Sequence, residues 1–454
     1  MNPWSISFFR GMLGIVLIGL LHQLSAVAQT ETAQARHEPE STEIKPAESK
    51  DLMSEKRWIA IEEAFENLGN RKFGIRQAAT QHLVNAGNSV LPELEKRALS
   101  SDVHIQSNCI NIISAIGKED SSLDRAVSAL ERLINDPNFS SAGKASEELT
   151  LLRKYQTNRA VRLLKEAGVH VSQNSTGGQV YSVSNLTEDG QCEHLKHLPF
   201  LGHLTLQGKG LTDACVQLLS KVPRLTTVYL NSTAISPAGI AEMQSIPNLT
   251  RLSLAGDFSA AHFRSLAEVK QLSSIHFQTQ VGDEELTEIA ALPVPEVVFA
   301  RLTVTARTSE IMQTLKASRV QLTLNTTKDD DLKWLKSCKT LALNINIYNS
   351  KEVTDEGMRY LENANISTLS LYKTGITGKA LEHIGAIKDL KTLSITNSPI
   401  DDASLKHLSG LQSLTSLRLQ STKVTGDGMA TLKEKLENLR SMTPSPTRKI
   451  PKLK

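Results

Sequence analysis

The chain has 454 residues, with 51 Lys and Arg set against 48 Asp and Glu, for a formal net charge of +3. That near balance leaves no electrostatic footprint for nucleic acid, and four cysteines are too few for a disulfide-built scaffold. At the N-terminus Arg10 precedes an apolar run from Gly11 to Leu21, followed by the small-x-small site Ala26-Val27-Ala28. Residues 1–28 therefore read as a cleaved secretory signal peptide. The run is shorter than the ~20 residues a membrane span needs, so no integral membrane segment is expected after cleavage. The expected location is secreted, periplasmic or in the cell envelope.

Residues 29–51 carry Pro39, Pro46 and many charges but almost no apolar side chains, the composition of a disordered linker. From 52 to 170 the apolar spacing is helical. Trp58, Ile61, Phe65 and Leu68 share one face of a first helix. Further helices are predicted over 75–86, 91–99, 103–116, 123–134, 142–155 and 158–167, separated by Gly, Pro or polar breaks. The stretch Arg76 to Leu83, with Asp102-Val103 leading into Cys109, Ile112, Ile113 and Ile116, resembles a degenerate HEAT-type helical repeat. A plain helical bundle capping the apolar N-terminal end of a repeat stack is the alternative.

From 179 to 440 one phrase returns. Leu201, Leu204 and Leu206 recur as Leu225, Val228 and Leu230, and then as Leu249, Leu252 and Leu254, each start 24 residues after the last. After a blurred stretch it resumes at Ile366, Leu369 and Leu371, again at a spacing of 24. A second phrase, as in Val353-Thr354-Asp355-Glu356-Gly357-Met358, recurs between them. An L-x-x-L-x-L phrase at this period is the signature of leucine-rich repeats. The chain resembles extracytoplasmic bacterial leucine-rich-repeat proteins with ribonuclease-inhibitor-like units. The resemblance implies an α/β fold: a right-handed leucine-rich-repeat solenoid of about ten units, with a parallel concave sheet and convex helices, preceded by an all-α domain. Residues 441–454, rich in Pro, Lys and Arg, read as a disordered basic tail.

Asp213, Asp283, Asp329, Asp355 and Asp402 each lie three residues before an apolar helix position, which marks them as caps at the helix starts rather than catalytic or metal-binding carboxylates. Thr233, Thr374, Ser398 and Thr422 recur just after the strands, where their hydroxyls are expected to bond the turn backbone. Cys192 and Cys215 fall on helix positions of successive units and read as two buried small residues, a bridge being the alternative because units stack. His194, His197 and His203 near Cys192 match no zinc spacing, so no metal is expected. The blurred units between 294 and 365 leave two readings open, a projecting binding loop or sequence drift.

No Walker-type loop, G-x-G-x-x-G, G-x-S-x-G or H-E-x-x-H occurs, and neither a catalytic residue nor a cofactor is expected. The outward positions of the concave strands remain as the working surface. Among them Tyr229, Arg251, His276, Asn344, Tyr372 and Arg418 are the candidate contacts, because Tyr and Arg dominate binding hot spots. The sequence thus points to a non-enzymatic, exported scaffold that recognises a protein or peptide, with extracellular glycan second. An architectural, self-associating component of an envelope assembly is the alternative. The T-D-x-G-L repeat style is also similar to that of substrate adaptors of the ubiquitin system, a reading the export signal opposes.

Overall fold

The computed structural model describes residues 48–174, 178–338 and 341–443. The predicted signal peptide, the linker before Glu48 and the tail after Thr443 lie outside them. The chain divides into two units, one ending at Ala86 and one beginning at Gly87. The division falls inside the helical stretch 52–170, so its later helices belong to the unit that carries the repeats.

The first unit contains α1 (Glu48–Asn67) and α2 (Phe73–Ala86), so helix begins within the stretch read as linker. Ile61, Phe65 and Leu68 are buried as their spacing predicts, whereas Trp58 on the same face is half exposed. In the second unit come α3 (Leu91–Ala98), α4 (Val103–Ile116), α5 (Leu123–Asn135) and α6 (Ala142–Glu166). Asp102 caps α4, its side chain accepting the His104 N–H at 2.7 Å. The two helices expected over 142–167 are one helix of 25 residues. No Gly or Pro interrupts the join, and the Thr157 hydroxyl donates back to the Arg153 carbonyl at 3.1 Å.

Among the described residues thirteen strands then form one sheet in sequence order. They are β1 (His170–Gln173), β2 (Val180–Glu188), β3 (His203–Gly210), β4 (Thr227–Asn231), β5 (Arg251–Ala255), β6 (Ser274–Val281) and β7 (Glu296–Leu302), then β8 (Arg319–Asn325), β9 (Ala342–Tyr348), β10 (Ile366–Tyr372), β11 (Thr392–Thr396), β12 (Ser416–Gln420) and β13 (Ser441–Thr443). β1 pairs antiparallel with β2, and every later pairing is parallel. A short helical segment returns the chain between most neighbouring strands, which is the α/β leucine-rich-repeat solenoid. More strands stack than the ten or so units expected, because β1 adds an antiparallel strand ahead of the first unit and Ser441–Thr443, read as tail, adds one at the other end.

The apolar residues of the repeat phrase fill a continuous core from Ala160 to Leu439. Burying a Leu or Ile side chain contributes roughly 1.5–3 kcal/mol, and stacked units share that burial with both neighbours. Ala160, Val161 and Leu164 on α6 belong to this core, so α6 covers the apolar end of the stack beside Val180 and Val183. The Thr157 hydroxyl also reaches the His197 carbonyl at 2.8 Å, fixing α6 to the first unit.

Cys192 and Cys215 are joined by a disulfide. The expectation of two separate buried thiols is thereby corrected. Their separation of 23 residues is about one repeat, and stacking brings their Cα atoms to 5.6 Å, inside the range a bridge requires. Cys109 and Cys338 are buried free thiols, and burial raises their pKa values to about 12 and about 11, which keeps them protonated and inert.

The aspartates stand at the helix starts but do not cap their own helices. Before Asp213 and Asp355 that task falls to the preceding hydroxyl, Thr212 accepting the Ala214 N–H and Thr354 the Glu356 N–H, each at 3.3 Å. At Asp402 the preceding Asp401 accepts the Ser404 N–H at 3.1 Å. At Asp283 and Asp329 the Glu285 and Asp331 carboxylates accept the Gly282 and Lys328 N–H groups, each at 3.1 Å. Each of the five aspartates instead reaches across to the next unit. Asp213 accepts the Ser236 N–H at 2.8 Å and its hydroxyl at 2.6 Å. Asp329 does the same with Thr354, Asp355 with Thr377 and Asp402 with Thr425. Asp189, absent from the predicted set although it has the same spacing, three residues before Cys192, holds Thr212 the same way. Asp283 takes only the Thr305 hydroxyl, since the Thr305 N–H turns to Thr308 at 2.8 Å. The small residue of the repeat phrase is a consequence of this ladder. A Cβ on Gly239 or Gly357 would collide with the carboxylate of Asp213 or Asp329.

The turns after the strands also differ from expectation. Only Thr422 bonds the turn, donating to the Leu419 carbonyl at 3.3 Å. The hydroxyls of Thr233, Thr374 and Ser398 are buried and make no hydrogen bond. Neighbouring units already satisfy the turn backbone: Ser232, Lys373 and Asn397 adopt positive φ and donate their N–H groups to Ala255, Thr396 and Gln420 at 2.8–3.1 Å. A buried hydroxyl without a partner costs about 1–3 kcal/mol. Thr374→Val is accordingly expected to raise stability by roughly 1 kcal/mol in urea unfolding, on the same principle; a loss of stability would show that the hydroxyl has a partner.

Candidate binding surface

Strand alternation, which sends successive side chains to opposite faces, builds this surface. In β9 the buried residues Leu343, Ile345 and Ile347 alternate with Asn344, Asn346 and Tyr348, which are partly exposed. All six candidate contacts occupy such outward positions. Tyr229, Arg251 and His276 lie on three consecutive strands, and Tyr229 and His276 share a register row through Ser253. Asn344, Tyr372 and Arg418 lie on β9, β10 and β12, so they form a second group rather than one site with the first.

In the first group Arg251 is exposed at the strand start, in a row that continues through Ser274 to Glu296 and Arg319. Glu296 and Arg319 form an ion pair at 3.5 Å. Burial pushes the His276 pKa below its ordinary value, the Arg251 charge adds to that, and Glu296 opposes it. His276 is therefore held as a neutral imidazole that can donate and accept one hydrogen bond each. Thr227, Ser253 and Ser274 face outward in register yet are 2% exposed. Ser253 accepts the Gln278 amide at 3.1 Å.

The second group contains a residue that falls, in sequence, within the irregular units. Tyr348 ends β9, and its ring lies 6.1 Å from that of Tyr372 at 54°. The Lys373 ammonium sits 5.1 Å from the centre of the Tyr372 ring. The strand alternation Leu-Asn-Ile-Asn-Ile-Tyr was the available signal. Asn344 is partly engaged, its side-chain oxygen accepting the Ser367 hydroxyl at 2.7 Å. Arg418 is exposed on β12.

The residues weighed as metal ligands are dispersed. Cys192 is in the disulfide, and His197 faces Asp124 at 3.8 Å on α5. Burial lowers the pKa values of both His194 and His197. Among the described residues no group of three or more His, Cys, Asp or Glu is placed to hold an ion, and no helix is long and apolar enough to cross a membrane.

No protein-family model and no curated protein matches the chain. Solved structures do. One is the crystal structure of a TLR13–ssRNA13 complex, at 16% identity over 54% of this chain, with a TM-score of 0.37. The chain spans 39% of that protein's length. Another is an internalin, inlF, from Listeria monocytogenes str. 4b F2365, at 13% identity over 64% of this chain and 95% of that one, with a TM-score of 0.34.

Proposed function

We propose that the chain is an exported, non-enzymatic scaffold that binds a protein or peptide on the concave face of its solenoid. The observation that carries this reading is the sheet register, which sets Tyr229 and His276 in one row through Ser253 and Arg251 two residues before Ser253 on the strand between them, on a backbone held by its neighbours. A wall already ordered before binding loses little conformational entropy when a partner docks. Tyr, Arg and neutral His supply apolar area together with directed hydrogen bonds. The disulfide supports export, because such bridges persist in oxidising compartments, and it agrees with the signal-peptide reading of residues 1–28.

The test is substitution at the wall. Tyr229→Ala with Arg251→Ala is expected to weaken a captured partner by at least 100-fold, following ~2 kcal/mol or more for hot-spot residues, while the thermal midpoint moves little. Unchanged partner affinity would reject the concave face. Self-association of the chain that survives the double substitution would favour the architectural reading.

A further inference from the structure

β7 and β8 part before either strand ends. Their register runs through four pairs, from Glu296↔Arg319 to Phe299↔Leu322. Past Phe299 the chain of β7 stays with β6, through Gln280↔Arg301 and Val281↔Leu302, while β8 continues along β9 to Asn325↔Tyr348. An open cleft of about 590 Å³ lies in this fork, a volume in the range of small-ligand pockets.

Two opposite charges line it. Arg301 is exposed on the β7 lip, and Asp331 comes from the helical turn Asp329–Ser337 that follows β8. The other two acids of that turn are engaged elsewhere: Asp329 holds Thr354, and Asp330 pairs with Lys333 at 2.8 Å. One oxygen of Asp331 accepts the Lys328 N–H at 3.1 Å, which leaves the other. Among the described residues neither Arg301 nor Asp331 forms an ion pair, with each other or with any third group. The polar groups around them divide in a similar way. Gln280 donates to the Thr303 hydroxyl at 2.5 Å, and the Thr326 hydroxyl donates to the Asn325 carbonyl at 2.7 Å. The Asn325 amide and the Thr323 hydroxyl make no side-chain hydrogen bond among the described residues and stay open to the cleft. A purely anionic occupant would be repelled by Asp331, and a purely cationic one by Arg301. A molecule that carries a carboxylate and an ammonium together satisfies both.

We propose that this fork binds a small zwitterion, a free amino acid or a peptide of two or three residues. Arg301 receives its carboxylate, and the free oxygen of Asp331 receives its ammonium. The Asn325 amide and Thr323 hydroxyl supply neutral hydrogen bonds. Leu302 and Val304, partly buried against the core, give the ligand's side chain an apolar floor. The site is distinct from the concave rows of Tyr229 and Arg251 and does not depend on them.

The experiment titrates the full chain by isothermal calorimetry with the common amino acids one at a time, and then with trialanine. Saturable binding of at least one of them is expected; the better of the two kinds tells a free amino acid from a short peptide. The N-acetylated and C-amidated forms of the best binder, each lacking one charge, should bind the unaltered chain roughly tenfold or more weakly. Arg301→Gln should erase the preference for the free carboxylate and keep that for the ammonium. Asp331→Asn, which retains an oxygen for the Lys328 N–H, should do the converse. Tyr229→Ala/Arg251→Ala should leave binding unchanged. No saturable binding by any of these ligands, blocked forms that bind as well as the parent, or affinity indifferent to both fork substitutions would overturn the proposal.

Discussion

Replacing both Cys192 and Cys215 by Ala is expected to lower stability by about 3 kcal/mol, the loop-closure contribution for a bridge enclosing one repeat. The loss should be local. A solenoid is stabilised by contacts between nearest neighbours, so one loosened unit frays the stack from its nearer end. Amide exchange should therefore accelerate across β2, β3 and the helix Asp213–Leu219, and leave β10 to β12 protected. Ala is the suitable replacement because both positions are buried to within 1% and a serine would add an unpaired hydroxyl. A loss below ~1 kcal/mol would mean that the unfolded chain is not constrained by the bridge.

The second large effect lies in the ladder of carboxylates. Asp213→Ala removes two hydrogen bonds accepted by a charged group and leaves the Ser236 N–H with no acceptor in a partly buried site. The expected loss is about 2 kcal/mol in urea unfolding. Asp329→Ala, which strips Thr354 of the same pair of bonds, should cost a similar amount. The complementary change is Gly357→Val, whose side chain would meet the Asp329 carboxylate. Because it blocks the same link, combining it with Asp329→Ala should cost less than the sum of the two changes. Additive losses would show that glycine and carboxylate act independently.

The repeat period alone revealed the solenoid, because a 24-residue recurrence of strand and helix phrases leaves few other ways to bury the leucines. What the sequence concealed lies between units. The spacing of Asp213 placed it at a helix start, but its partner Ser236 is 23 residues away and becomes a neighbour only on stacking. The same holds for the bridge, whose separation of 23 residues made stacking possible without requiring it. Gly239 and Gly357 could be recognised in sequence as a small-residue position, yet the carboxylate they admit belongs to the preceding unit.

On the concave face the outward positions of all six candidate contacts were legible from alternation, whereas their grouping was not. Tyr348 was missed because its unit has 26 residues from Thr340 to Ile366, which suggested an insertion at the strand end. The strand instead runs through Tyr348, and the turn comes at Asn349, which takes a positive φ as its counterparts do. Ser350 then bonds both the Tyr348 carbonyl and the Thr327 N–H, holding the turn against the preceding unit. The fork between β7 and β8 had only an indirect sign, the loss of the usual turn phrase from Arg301 to Thr308.

Binding at the concave wall is decided by chemical cross-linking of the chain to its co-purifying partner, with the linked residues mapped by mass spectrometry. The predicted links run from the partner to the outward positions of β4 to β6 and β9 to β12, and are lost when Tyr229 and Arg251 are replaced by Ala. Links confined to the helices between Leu91 and Glu166, or running only between copies of this chain, would contradict a binding role for the wall.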